Sequence, residues 1–392
     1  MKKALIIALA AAAGIIACSK VETAGDGTRK PIRFSVVSHL QRNKAHTLPF
    51  SGLTYPTDVP FGTFAWWTQN DWTGIAADQD NVFIDNEKVS YQLVSGRNAW
   101  TTSSVYYWTK SGKLTFASYS PWTAGTTPAT DGFSAIPSYN AASGWQIANY
   151  TIVDSTNVDL MYADLAANCT QDTNLDGTAV TDGGDGGFSG VPTIFNHALC
   201  RLNFALRALG PKNANVDSIV VTVNDVDIQH IKYKGSFSQS ANPRWISNAA
   251  DTTGYDFAPE SPLTLELIPN TPENVAATDN YVILPTVRIL LPQTLLSSGD
   301  PVAATDDQLF ILKYTVKIHY KKDNYPESDP RYWSVSEITS AVRLYKDDIP
   351  AWKDNQSITY RITINPYTTE KVFFDPAVVS WEDVYSSDII ID

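Results

Sequence analysis

Leu312, Tyr314, Val316, Ile318 and Tyr320 fall on one side of an extended segment, and Lys313, Thr315, Lys317 and His319 fall on the other. A period of two marks a strand with one dry and one wet face. Ile358, Tyr360, Ile362 and Ile364 repeat it against Thr359, Arg361 and Thr363. Ala198, Cys200, Leu202, Phe204 and Leu206 do so again. Further strands are predicted at Ile32–Ser38, Phe61–Trp67, Val105–Trp108, Lys113–Ser120, Trp145–Val153, Val158–Leu165, Ser218–Val226, Leu263–Leu267 and Tyr281–Leu291. Helical periodicity is nearly absent. One-sided strands belong to antiparallel sheets. Many short ones, broken by 21 Gly and 22 Pro, predict an all-β chain of two antiparallel β-sandwich domains. Between Asn168 and Gly190 the pattern gives way to a polar, acidic, Gly-rich run. The division is therefore set near Val191, with an N-terminal domain over 31–191 and a C-terminal domain over 192–392.

The start of the chain is different. Lys2 and Lys3 precede an apolar run from Ala4 to Ala17. That run is too short for a spanning helix, which needs about 20 apolar residues, and its positive start and small exit residues describe a secretory signal peptide over 1–17. Ile15-Ile16-Ala17-Cys18 resembles a bacterial lipobox. The resemblance implies cleavage before Cys18, acylation of that cysteine (a palmitate-type modification) and anchoring in outer-membrane lipid, with 18–30 as a tether. The plainer alternative is an ordinary signal peptide with a chance cysteine.

Charge narrows the partners. The formal net charge is −12, from 29 Lys+Arg against 41 Asp+Glu, which argues against nucleic acid. Cys169 and Cys200 are the other two cysteines. Cys200 reads as a small core residue on its strand, and a Cys169–Cys200 bridge remains the alternative for an exported chain. No catalytic motif of the hydrolase, metalloprotease, nucleotide-binding or redox kind is present, and none of the five histidines has a neighbour at metal-ligand spacing. The chain is predicted not to be an enzyme and to need no cofactor. His319 reads as a solvated surface residue and His197 as a structural, hydrogen-bonding one. The one metal candidate is calcium at Asp172, Asn174 and Asp176, in the D-x-N-x-D-G opening of a calcium loop. Its twelfth position is Gly183 rather than an acid, and a solvated acidic loop is the competing reading. Seven of the 11 tryptophans precede residue 150. Exposed aromatic faces bind sugars, while core packing is the default for tryptophan in a sandwich. Trp66 and Trp67 are adjacent in a strand, so one is expected in the core and the other near solvent.

Several segments together resemble the fimbrillin family, pilus subunits of Bacteroidetes-type surfaces: the Ile15–Cys18 lipobox, the early strand Ile32–Ser38, Phe61-Gly62-Thr63-Phe64-Ala65, the run from Phe195 to Phe204 (FNHALCRLNF), and Trp381-Glu382-Asp383-Val384. The resemblance implies two sandwiches of transthyretin-like, Greek-key character. It also implies a mechanism. The precursor travels as a lipoprotein, a trypsin-like protease cuts after an arginine following the first strand, that strand leaves, and a strand of a neighbouring subunit fills the groove. Head-to-tail filling propagates into a filament.

The parts implied for this chain are a first strand with Ile32, Phe34 and Val36 on one face, a cut between Arg42 and Asn43, and a donor at 377–392 carrying Val378, Val379, Trp381, Ile389, Ile390 and Ile391. Extended, that tail reaches roughly 53 Å. Against this stand Arg42 as a plain loop residue, Ile32–Ser38 as an ordinary first strand, and the C-terminal strands as part of the second domain. The leading reading is a fimbrial subunit with an adhesion role, located at the outer-membrane surface and in the fimbrium. Its partners would be other subunits and a host or microbial glycan or protein. The alternative is a non-polymerising, glycan-binding surface lipoprotein, with a calcium-supported hydrolase third.

Overall fold

The computed structural model describes residues 30–37, 55–94, 96–125, 129–154, 158–171, 190–210, 215–271, 273–274, 280–296, 308–322, 325–366 and 372–380. The first stretch of strands is β1 (Phe34–Val37), β2 (Phe61–Thr68), β3 (Val82–Val94), β4 (Arg97–Thr102), β5 (Lys113–Ser120), β6 (Ser138–Asn140), β7 (Gly144–Thr151), β8 (Met161–Ala163), β9 (Ala166–Cys169) and β10 (Val191–His197). Then come β11 (Cys200–Leu209), β12 (Val216–Lys232), β13 (Lys234–Ser238), β14 (Trp245–Ile246), β15 (Thr252–Asp256), β16 (Leu263–Leu265), β17 (Leu267–Ile268), β18 (Val282–Ile283), β19 (Arg288–Leu290) and β20 (Gln293–Thr294). The last are β21 (Leu309–Tyr320), β22 (Ser334–Arg343), β23 (Ala351–Trp352), β24 (Gln356–Ile364) and β25 (Val372–Ser380). No helix among the described residues is long and apolar enough to cross a membrane.

The all-β reading holds, but the first unit is not an open sandwich. Its sheet runs β2-β3-β4-β1-β10-β8-β5, and β5 pairs back onto β2, closing seven strands into a barrel-like ring with β9 beside β5. Closure removes the exposed edges that a sandwich would keep. Nor is the pairing purely antiparallel: β1 lies parallel to β10, and β11 parallel to both β24 and β17. The inside of the ring is packed with Phe34, Phe61, Trp100, Phe116 and Phe195 among others. A second layer, the sheet β14-β13-β7-β6, covers one outer face through Trp66, Tyr119, Trp145, Tyr162 and Phe237. Adjacent residues of β2 show the alternation directly. Trp66 belongs to this outer cluster, while Trp67, half-buried, packs toward the inner one.

The later strands form two packed sheets, one built on β11 and β24, the other on β12 and β21. Leu202, Phe204, Leu206, Val221, Val223, Phe310, Tyr314, Ile358, Tyr360 and Ile362 fill the space between them. The expected division near Val191 runs through shared sheets. β10 begins at Val191 and completes the ring, and β13 pairs with β7 across the expected boundary. Cys169 and Cys200 are buried and free, not bridged. Burial pushes the Cys169 thiol up to about 12, as desolvation disfavours a thiolate. His197 is buried with Nδ1 2.7 Å from Asp159 Oδ2. His319 corrects its surface reading: it is 8% exposed, stacked on Tyr332 at 3.8 Å between ring centroids, with Nδ1 3.2 Å from Asp217 Oδ2. Alternation placed it on the polar face correctly. What it could not show is that Tyr332 folds back over that face.

Candidate functional site

Because the ring is closed, each of its strands has two neighbours, and β1, with four residues, is one of the short links on a long path. On one side it runs parallel to β10 through Phe34↔Val191, Ser35↔Pro192, Val36↔Thr193 and Val37↔Ile194. On the other, it meets β4 at a single register position, Phe34↔Trp100. The Val191 N–H donates to the Arg33 carbonyl at 2.8 Å. Alternate residues of a strand bond to the same neighbour, so Pro192, which lacks an N–H, sits where no donor to β1 is needed. Gly190 allows the close approach, since a Cβ there would lie 2.8 Å from the Arg33 carbonyl oxygen. The lead-in to β1 is held separately. Ile32 N–H donates to the Tyr106 carbonyl at 2.8 Å, and Trp108 N–H to the Lys30 carbonyl at 3.2 Å.

The side chains divide by period two. Ile32 and Phe34 are buried, and Val36 packs against the same cluster. The Phe34 ring meets Phe61 and Phe116 edge to face, at 5.5 and 5.8 Å between centroids. Full burial of such side chains stabilises by roughly 1.5–3 kcal/mol each. Losing β1 would therefore remove a large part of the 5–15 kcal/mol by which a domain is commonly stable. It would also leave the facing edges of β4 and β10 unpaired.

The other expected element of strand exchange starts at residue 377. Here β25 pairs antiparallel with β24 of the same chain from Ile364↔Val372 to Gln356↔Ser380, with Val378 opposite Ile358 and Val379 opposite Ser357. Among the described residues β25 is the last strand of its sheet, and Pro376 lies within it, as edge strands tolerate. Val378 is exposed. Cys18, Arg42, Asn43, Asp172, Asn174, Asp176, Trp381, Ile389, Ile390 and Ile391 lie outside the described residues.

Two features were not signalled by sequence. Asp225, Asp227 and Asp256 bring carboxylate oxygens within 4.8 Å of one another on β12 and β15. Lys313 Nζ donates to Asp225 Oδ2 at 2.5 Å. Partial burial and the neighbouring Asp225 raise the Asp227 carboxyl above its ordinary range. With an ammonium already in place, the cluster reads as a cross-strand ion pair between β12 and β21. The second feature is a cleft beside the lead-in to β1, lined by Trp67, Asn81, Phe83 and residues 105–111. The expected strand Val105–Trp108 forms one wall of it, joined only by the isolated pairing Pro31↔Tyr107. Trp66, Trp100, Trp108, Trp145, Trp245 and Trp352 are buried, while Trp72, Trp122 and Trp333 are half-buried.

A family model described as fimbrillin-like matches residues 59–381. The chain belongs to the fimbrillin-like family. Among solved structures, a fimbrial protein from Bacteroides vulgatus is similar at 17% identity and TM-score 0.55, over 90% of this chain and 99% of that one. A putative cell adhesion protein from Bacteroides uniformis is similar at 13% and 0.42, covering 90% and 99%. The tip fimbrial protein Mfa3 from Porphyromonas gingivalis is similar at 11% and 0.27, covering 82% and 94%. The first of these shares the fold. No curated protein matches the sequence. The family match begins at residue 59, after β1, and ends at Trp381, just past β25.

Proposed function

We propose that this fimbrillin-like chain is a non-catalytic structural subunit of a fimbria with an adhesive role, and that β1 is a removable plug. In this reading residues 1–17 direct export, Cys18 carries the temporary lipid at the outer membrane, and a trypsin-like protease cuts after Arg42, leaving a chain that begins at Asn43. The observation that carries the reading is the seating of β1. It is a short segment that contributes Ile32 and Phe34 to the ring's core, yet pairs with β4 at only one position. Once it is cut from the rest of the chain, it is held by one short ladder, the two lead-in bonds to Tyr106 and Trp108, and a few side chains. Its departure exposes apolar surface and two strand edges, a template for a strand from another subunit. The C-terminal segment from 377 is the donor in this reading, and the later strands correspond to the transthyretin-like sandwich.

A second reading draws on β25, whose Val378 and Val379 pair inside their own chain. It keeps β1 in place and makes the protein a permanently anchored, non-polymerising surface lipoprotein. The N-terminus and intact mass of protein taken from the cell surface separate the two. An unacylated chain beginning at Asn43 is the expected result. A chain beginning at acylated Cys18 throughout would overturn plug removal and leave the second reading.

A further inference from the structure

The cleft beside the lead-in to β1 has a volume of about 520 Å³, within the range of small-ligand sites. Its lining mixes half-buried rings of Trp67, Phe83, Tyr106 and Tyr107 with the polar Asn81, Thr109 and Ser111. The rings are fixed. Trp67 Nε1 donates to the Ser111 carbonyl at 2.9 Å, and Trp67 N–H to the Asn81 carbonyl at 2.9 Å. Phe83 and Tyr106 lie 5.9 Å apart between centroids. The Tyr106 hydroxyl donates to Glu87 Oε1 at 3.2 Å. Burial, then that carboxylate, pushes its phenol up to about 12, so it stays protonated at any ordinary pH. Gly112 has φ +72° and no Cβ, and a Cβ there would lie 2.5 Å from Trp67 Nε1. The turn after the wall is thus shaped around the indole.

The charge of the lining decides what kind of ligand fits. In a chain with 41 acidic residues, no carboxylate among the described residues lines this cleft, and Lys110 is the one charged residue of them that does. A cationic ligand finds no counter-charge there, and an anionic one finds a single exposed lysine rather than a cluster. The wall from Tyr106 to Trp108 spends the Tyr106 carbonyl and the Trp108 N–H on Ile32 and Lys30, so its edge toward β1 is closed to a peptide while β1 is seated. What remains is a set of ring faces with hydroxyl and amide groups at their margins. Aromatic faces carry negative charge density and attract weakly positive C–H groups. A pyranose presents such C–H groups on its apolar face and hydroxyls around its rim.

We propose that this cleft is a binding site for a neutral saccharide, a short oligosaccharide of hexose or N-acetylhexosamine units. The inference deepens the adhesive part of the function proposed above and rests on that part alone, not on strand exchange. The test uses the full-length protein and a panel of defined neutral oligosaccharides built from mannose, galactose, fucose, N-acetylglucosamine and N-acetylgalactosamine. Binding is read from tryptophan fluorescence and from ligand-observed NMR. At least one panel member is expected to bind saturably. Phe83→Ala, and Asn81→Ala at the exposed rim, should each weaken it about tenfold or more. Val105→Arg adds bulk and charge at an exposed lip position and should do the same without touching the core. Trp122→Phe, away from the cleft, should leave binding unchanged. No saturable response from any member up to about 10 mM, or full affinity in a folded Val105→Arg protein, would overturn the site. Polymerisation after protease treatment, measured on the same variants, should be normal. Its loss together with sugar binding would trace the defect to the fold, and its independent failure would count against the plug alone.

Discussion

Replacing Phe34 with alanine weakens the seating of β1 without altering its backbone pairing. The ring is 5% exposed and packs edge to face on Phe61 and Phe116. Truncating a buried phenylalanine costs about 3–5 kcal/mol, the lost transfer of the ring plus the cavity left behind. If β1 opens as a unit of its own, that cost falls on the local opening equilibrium. At 1.4 kcal/mol per factor of ten, the exposed state becomes roughly 150- to 4000-fold more populated. Native-state hydrogen exchange by mass spectrometry reads this directly. Amides of β1, together with Val191 and Trp108, which donate to the Arg33 and Lys30 carbonyls of its lead-in, should exchange faster by that factor. Amides of β12 and β21, in the separate core between the later sheets, should not change. Uniform acceleration in both cores would mean that β1 opens only with global unfolding. Unchanged exchange in β1 would mean that Phe34 does not hold it. Either result would refute the plug argument.

Gly112→Ala puts a Cβ on a backbone with φ +72° and within 2.6 Å of the Thr68 carbonyl oxygen. It should destabilise the protein by about 2–3 kcal/mol in urea unfolding and blue- or red-shift Trp67 emission, whereas Gly96→Ala, with nothing within 4 Å of its Cβ, should cost only the left-handed backbone term. Asp329 is held down to about 2, chiefly by the Arg331 side-chain hydrogen bond and the Arg331 N–H. Its folded value lies below the unfolded one, so the ordering it gives the 325–333 loop is complete above the ordinary carboxylate range and is lost as pH falls through about 2. Carboxyl-detected NMR titration should show this, and Arg331→Ala should return the Asp329 midpoint toward the ordinary value. After removal of β1, a peptide of residues 377–392 added in trans should raise the melting temperature of the trimmed protein. A scrambled peptide should not; equal effects from both would count against a specific groove.

Strands with a clean stripe were legible. Lys113–Ser120 is found with its expected ends, and the alternation of Leu312–Tyr320 lies within β21. β3 was missed because both its faces carry polar residues and its pairing with β2 is interrupted by register shifts around Asn86, which has φ +45°. β22 was missed because it is largely exposed and shows no stripe. Ring closure was out of reach for a different reason. It depends on β2 meeting β5 and on β1 meeting β10, pairings between distant segments that no local period encodes. The candidate plug was visible as an alternating run, with Ile32 and Phe34 correctly assigned to the dry face. The cleft itself was not read from the sequence, although one of its walls was noticed. Val105–Trp108 was singled out as a strand, whereas the crowding of Tyr106, Tyr107 and Trp108 against a Lys-Ser-Gly-Lys turn was the signal that it forms a wall instead.

The polarity of β1 limits what can replace it. It runs parallel to β10 and antiparallel to β4, so a strand inserted in reverse would satisfy a different hydrogen-bond pattern on both edges. A replacement in the original direction must bring apolar residues to the positions of Ile32 and Phe34, two apart, beside Trp100 and Val191. A one-residue slip would turn those side chains outward and leave the ring's core open. Ala377, Val379 and Trp381 present apolar residues at that spacing, as do Ile389 and Ile391. The first set includes residues already paired with β24 in this chain, so donating it means breaking that ladder first, whereas donating the second leaves β25 where it is. A donor that keeps its own sheet intact is energetically cheaper. Within the strand-exchange mechanism, this argument selects the terminal Ile389–Ile391 segment over Val378 and Val379 as the part that enters the neighbouring ring.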